Sequence, residues 1–227
     1  MYTSLATIGS TPDEGRGMPI RGLDTPESAA LVISECQNGM TNPEYATNKP
    51  LVEQVTTRGM IPAIAGLADG LRQLGVPIVH MTVEAYPGHR GWAVNSVLTG
   101  VFRKRPLTTG SPAVAINPGL TPHPGDFVIT RHRGLTSFHG TELEYLLRNM
   151  GVTTVIMAGV STNIAVSGSC LEAVNRGFQV VVPEDCTSGA TAETHAFMIE
   201  NIIPLLATVT TSATILDQLM NVSGVAR

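Results

Sequence analysis

Three places in this chain carry residue types suited to catalysis, and each stands where an apolar run stops. The run AALVISE (29–35) ends in an acid, Glu35. DFVIT (126–130) is followed at once by a cation, Arg131. VTTVIMA (152–158) leads into GVSTNIAVSG (159–168), a tight turn ahead of the helix-compatible SCLEAVNRG. Such strand–turn–helix junctions commonly seat a nucleophile or an anion, because the first N–H groups of a helix have no partners within it. Here the small residue that starts the helix is Ala165, whose methyl group has no chemistry of its own. A carboxylate beside a guanidinium can still do general acid–base work on water or on a substrate. The competing reading of Glu35 and Arg131 is a structural ion pair, since an unpaired carboxylate on an apolar strand is costly. Arg133 lies two residues beyond Arg131 and is its rival for the same role.

The elements that must position these groups follow from pattern and punctuation. The spacing predicts strands at 29–35, 76–83, 126–130, 152–158 and 178–182, with a sixth in LATVTT. Helices are expected over about 57–74, 163–176 and 191–203, and from about Ser212. Thr141 and Glu144 form a T-x-x-E capping box ahead of LEYLLRNM, with Gly151 just past its end. The strands are rich in Val and Ile and mostly do not alternate, the mark of parallel strands buried on both faces. Strand–helix alternation then implies right-handed crossovers and a three-layer α/β/α, Rossmann-like sandwich. In such sheets chemistry gathers at the carboxyl ends of the strands. Residues 84–125, rich in Gly and Pro, form a long irregular stretch of the kind that is often functional.

The 227 residues are 43% apolar and only 14% charged, with a net charge of −4. This suits one well-buried domain, and oligomerisation would account for the scarcity of surface charge. Residues 1–24 read as a polar N-terminal arm and 25–227 as the domain. The short basic cluster Arg103-Lys104-Arg105 ends at Pro106 and is too small for a nucleic-acid face. No apolar run reaches the roughly 18–20 residues that span a bilayer, and the N-terminus lacks the features of a secretory signal. Cys36, Cys170 and Cys186 are few and widely spaced, as expected of reduced thiols in the cytoplasm.

Taken together, the three strand ends resemble the isochorismatase-like (cysteine hydrolase) superfamily over roughly residues 29–210. The matching stretches are ISECQNG with Glu35, Gln37 and Asn38, then TRHRGLTSFHGTELEYLL with Phe138, Gly140 and Thr141, then GVSTNIAV. The resemblance implies a six-stranded parallel sheet of order 3-2-1-4-5-6. That order brings Glu35 beside the Ala165 turn. It further implies an oxyanion hole from the backbone N–H groups of Ser161 and Ala165, with a cis peptide between Val160 and Ser161.

This chain departs from the family pattern at three positions. The usual Asp is Glu35, the usual Lys is Arg131, and the usual nucleophilic Cys is Ala165. The charge pair survives these exchanges but the attacking thiol does not. The arrangement fits vinyl-ether hydrolysis, as in true isochorismatases, with Glu35 donating a proton. It fits activation of water by Glu35 as base equally well, because a guanidinium in contact favours the carboxylate. An amide or ester hydrolase with another nucleophile, and a catalytically silent ligand-binding protein on the same fold, are the alternatives.

His80, His89, Arg90, Trp92, Phe138 and Asn163 are the candidate substrate-binding residues. His80 is expected near the end of the second strand. His89 and Arg90 are suited to a substrate carboxylate, and Trp92 and Phe138 to pocket walls. The D-x-H metal pattern of the family's nicotinamidases is absent, so neither a metal nor any other cofactor is expected. The expected partners are a small-molecule substrate and, by resemblance, a second copy or more in a homodimer or homotetramer, with no nucleic acid or membrane.

Overall fold

The structure is a computed structural model that describes residues 19–224. Its strands are β1 (Ala29–Ser34), β2 (Ile78–Val83), β3 (Phe127–Arg131), β4 (Thr154–Val160), β5 (Gln179–Pro183), the short β6 (Thr187–Ser188) and β7 (Thr208–Thr210). The sheet order is β3-β2-β1-β4-β5-β7, with β6 beside β4, and every pairing is parallel. This is the expected three-layer sandwich and strand order.

The helices are α1 (Asn38–Thr41), α2 (Lys49–Thr57), α3 (Met60–Gln73), α4 (Val97–Phe102), α5 (Leu143–Asn149), α6 (Ser167–Asn175), α7 (Ala192–Phe197) and α8 (Ser212–Ser223). One face of the sheet, including Leu31, Ile33 and Ile78, packs on Met60, Ile64 and Leu71 of α3 and on Ile215 and Leu219 of α8. The other face, including Ala30, Val32, Val79 and Met81, packs on Leu143 and Leu147 of α5 and on Cys170 and Ala173 of α6. Each large apolar side chain buried this way contributes about 1.5–3 kcal/mol. The two apolar faces therefore dominate what holds the sheet together.

Several elements differ from the sequence pattern, each for a local reason. The helix expected at 57–74 is α3, which starts only at Met60 because Gly59 adopts φ 62 and separates it from a further helix, α2, that the pattern did not suggest. The capping box at Thr141 and Glu144 does not form. Thr141 Oγ1 donates to Ser137 O at 2.6 Å, and Glu144 instead accepts from Arg176 Nε at 3.0 Å. The helix expected from Asn163 begins as a π turn over Thr162–Val166 and becomes α-helical only at Ser167. Residues 191–203 start as α7 but pass through a π stretch, Met198–Ile202, into a 3-10 turn containing Pro204. Proline has no N–H to continue a regular ladder.

Of the arm expected at 1–24, residues 1–18 lie outside the described residues. The remainder belongs to the body of the domain. Ile20 and Leu23 are buried, and Gln218 of α8 donates to both of their carbonyls, at 3.0 and 2.8 Å. Among the described residues no helix is long and apolar enough to cross a membrane.

Candidate active site

The site is built where β1 and β4 stop side by side. Ser34 pairs with Gly159, and the backbones come so close that a Cβ on Gly159 would lie 2.1 Å from Ser34 O. Only glycine fits there, all the more so at its φ of 104. Immediately beyond, the chain at Glu35 turns with φ 53, a left-handed conformation that non-glycine residues rarely adopt. The Glu35 N–H donates to Met81 O at 2.8 Å, holding this corner to β2. Gln37 fixes it further. Its side-chain NH₂ donates to Val83 O at 3.0 Å and Val114 O at 2.7 Å, while its oxygen accepts from Val83 N at 2.8 Å.

Glu35 and Arg131 form a buried ion pair between Oε1 and Nη2, and Arg131 Nη1 donates to Gly134 O. Burial pushes the Arg131 guanidinium down to about 10, so it remains cationic at neutral pH. A buried pair of this kind contributes little net stability, because desolvation offsets the attraction. Stability alone therefore gives no reason for placing two charges there.

On the other side of Glu35, the Val160–Ser161 peptide is cis and leads into the π turn that carries Ala165. That turn is anchored from below. Thr162 Oγ1 lies 2.9 Å from His195 Nδ1, and both side chains are buried. Burial, with the charge of Arg58, pushes His195 down to about 4. At neutral pH it is an uncharged hydrogen-bonding partner.

Glu35, Ser161, Asn163 and Ala165 line one cavity of about 120 Å³. That is small beside the roughly 300–1,000 Å³ of typical ligand pockets. Met40, Leu51, Leu98, Phe102 and Leu135 form apolar walls, and Asn48 and Arg105 add polar groups. Asn163 Oδ1 is buried without a hydrogen-bond partner. The long segment between β2 and β3 supplies Leu98, Phe102 and Arg105. Its helix α4 is fixed by a capping box between Ser96 and Thr99.

Five of the six expected substrate-binding residues lie elsewhere; only Asn163 lines this cavity. His80 is in mid-strand beside Ile33, on the α3 face. There it borders a separate cavity with Arg72 and His123, its Nε2 3.5 Å from Asp126. Arg90 faces an open groove with Tyr86, His132 and Arg133, and His89 precedes it in the same loop. The exposed Arg133 is thus no rival to the inward Arg131. Trp92 lies behind Phe102, ring centroids 5.9 Å apart, and its Nε1 donates to Thr99 O at 3.1 Å. Phe138 packs on Phe178 in the α5/α6 core, away from the cavity.

Arg105 was missed because it reads as the end of a short surface cluster. Its one local signal is the aromatic Phe102 three positions earlier, over which its guanidinium lies at 5.3 Å.

None of the three cysteines lines the cavity, and all are buried. Burial pushes Cys36 and Cys170 up to about 12 and raises Cys186 as well. Thiols in such surroundings are not thiolates at neutral pH. Among the described residues no group of three or more His, Cys, Asp or Glu side chains is placed to hold a metal ion.

Comparison with known proteins bears on this geometry. A family model described as Isochorismatase domain matches residues 29–214. The uncharacterized isochorismatase family protein YecD of Escherichia coli O157:H7 is 30% identical over 201 residues, covering 85% of this chain and 97% of YecD. Maleamate amidohydrolase of Pseudomonas putida is 27% identical over 202 residues, covering 86% and 88%. A solved cysteine hydrolase from Pseudomonas syringae pv. phaseolicola superposes with a TM-score of 0.77 over 89% of this chain and 97% of that one. At 18% identity it speaks to the fold alone.

Proposed function

The chain belongs to the isochorismatase family of hydrolases, and we propose that it hydrolyses a C–N bond of a small amide without a cysteine nucleophile. The observation that carries this reading is the Glu35–Arg131 pair lying at a small cavity whose helix-start residue is Ala165. The contact with Arg131 favours the carboxylate form of Glu35, which suits a base better than a proton donor. Glu35 takes a proton from a water molecule as the water oxygen attacks the acyl carbon. The carbonyl electron pair moves onto oxygen, and the N–H groups of Ser161 and Ala165 meet the resulting oxyanion. Collapse of the tetrahedral intermediate breaks the C–N bond. Glu35 then returns its proton to the departing nitrogen, so that acid and amine leave together.

Arg131 holds Glu35 ionised and oriented, and does not itself give up a proton. The unpaired Asn163 Oδ1 is an acceptor suited to an amide N–H. A curated relative named for amide hydrolysis agrees with this choice.

Vinyl-ether hydrolysis is the second reading, favoured by the absence of a thiol at Ala165. It requires Glu35 to deliver a proton to carbon, against the pull of Arg131. A panel of amides, including maleamate, with vinyl ethers and esters, separates the two when run on the native protein and on Glu35→Gln. Amide turnover lost in Glu35→Gln supports the proposal. Turnover confined to vinyl ethers overturns it. We further propose a homodimer or homotetramer, which sedimentation equilibrium tests.

A further inference from the structure

A second recess lies outside the catalytic cavity, and the proposed reaction makes no use of it. It is a groove of about 530 Å³, within the roughly 300–1,000 Å³ of typical ligand pockets. Tyr86, Arg90, His132 and Arg133 line it, and it shares no lining residue with the cavity at Glu35. Both arginines are exposed. Among the described residues neither has a carboxylate partner. Glu84, the acid nearest Tyr86 in sequence, accepts from Thr109 Oγ1 at 2.9 Å and does not line the groove. On a chain of net charge −4, two uncancelled guanidiniums in one groove are a local positive excess that attracts anions.

The groove also carries an aromatic platform. The Tyr86 and His132 rings stack, with centroids 4.2 Å apart and 17° between their planes. The backbone beneath holds both. His132 Nδ1 lies 3.1 Å from Glu84 O. A carbonyl only accepts, so Nδ1 carries the proton and the imidazole is fixed. Glu84 N donates to Arg131 O at 3.1 Å, and His89 N donates to Tyr86 O at 2.8 Å. Tyr86 nevertheless leaves 48% of its surface exposed. A ring already ordered in this way costs little further entropy when a ligand stacks on it.

We propose that this groove binds a nucleoside 5′-monophosphate, with its phosphate on Arg90 and Arg133 and its base on the Tyr86–His132 stack. The inference does not depend on the amide-hydrolase reading. Charge selects the phosphate. Two guanidiniums match a dianion, whereas one carboxylate leaves a positive charge uncancelled and a di- or triphosphate brings a negative surplus. The guanidinium fork also meets phosphate oxygens bidentately. The platform selects the base, because every base offers a face for stacking on an aromatic ring.

Calorimetry on the full chain compares AMP, adenosine and ribose 5-phosphate, which separate the two halves of the ligand. AMP is expected to bind more tightly than either. Arg90→Met and Arg133→Met should each weaken AMP about tenfold, the low end for a charge-assisted hydrogen bond because the groove is open, and leave adenosine unchanged. Tyr86→Ala should weaken AMP about tenfold through lost stacking and leave ribose 5-phosphate unchanged. Glu35→Gln should bind AMP as the native protein does. Melting curves establish that each variant folds.

No AMP binding at millimolar concentration, AMP no tighter than ribose 5-phosphate, or undiminished binding in Arg133→Met overturns the assignment. So does loss of AMP binding in folded Glu35→Gln, which would put the nucleotide in the catalytic cavity. Groove-dependent AMP binding without turnover of any amide upholds the nucleotide site and sinks the hydrolytic reading instead. Amide turnover by a protein that binds no AMP does the reverse.

Discussion

Glu35 and Arg131 stand 96 positions apart in the chain and close on each other as a buried ion pair. They come from the ends of β1 and β3, two strands separated by β2. If the pair is catalytic, stability and activity should respond differently to its removal. Breaking a buried pair from one side strands a charge and costs about 3–5 kcal/mol. Glu35→Gln and Arg131→Met should each lose roughly that amount in urea unfolding, and the double variant should regain most of it. Turnover should stay depressed by about 10²–10⁴-fold in Glu35→Gln and in the double variant. Recovery of activity along with stability would make the pair structural.

The close approach of β1 and β4 predicts a strong effect at one glycine. Gly159→Ala places a methyl against Ser34 O and should cost more than about 4 kcal/mol, the range reserved for severe backbone or core damage. Gly75→Ala is the control. It has a similarly positive φ of 74 but open space around it, so it should cost only about 1–2 kcal/mol. Comparable losses at both sites would mean that β1 and β4 can move apart freely.

The thiols should be spectators. Cys36→Ser, Cys170→Ser and Cys186→Ser, assayed singly, are expected to keep kcat within about tenfold of the native value, far from the loss expected on removing a nucleophile. Native protein should resist iodoacetamide, because all three thiols are buried and raised. Ala165→Cys should be alkylated first, since its thiol would sit at the start of a helical turn facing the cavity. Peptide mass spectrometry reads the order of labelling. Rapid loss of activity on alkylating a native cysteine would overturn this view.

Histidine burial sets a pH dependence of stability. His195 has a folded pKa of about 4 against an ordinary value of 6.5. Between these values the unfolded chain binds more protons, so stability rises with pH and is lost as pH falls. The full contribution, on the order of 3 kcal/mol for a separation of this size, is present above pH 6.5 and gone near pH 4. His80 is also lowered by burial and acts in the same direction. Urea midpoints across this window should show the slope, and His195→Gln should flatten it. An unchanged slope in His195→Gln would remove His195 as its source.

Much of the framework was legible because it depends on short-range pattern. The Val/Ile runs, the glycines that stop helices, and the acid and cation at strand ends all stand in contiguous sequence. What failed were inferences that needed a direction in space. The run 76–83 suggests His80 near a strand end, yet its side chain leaves mid-strand toward α3. Thr141 and Glu144 have the spacing of a cap, but Arg176, 32 residues from Glu144, competes for the acid. Trp92 and Phe138 are aromatic and near the motifs, yet each packs away from the cavity.

By itself the sequence determined that this chain folds as a parallel α/β sandwich, and that the fourth strand runs into a turn bearing a methyl group. Local preference and burial on both strand faces suffice for that. Only the tertiary structure decided which charges share a cavity. Glu35 meets Arg131 rather than Arg133, and Arg105 turns inward although it reads as a surface cation. Such pairings depend on the direction of each side chain at the end of its element. That direction is set by packing against residues tens of positions away.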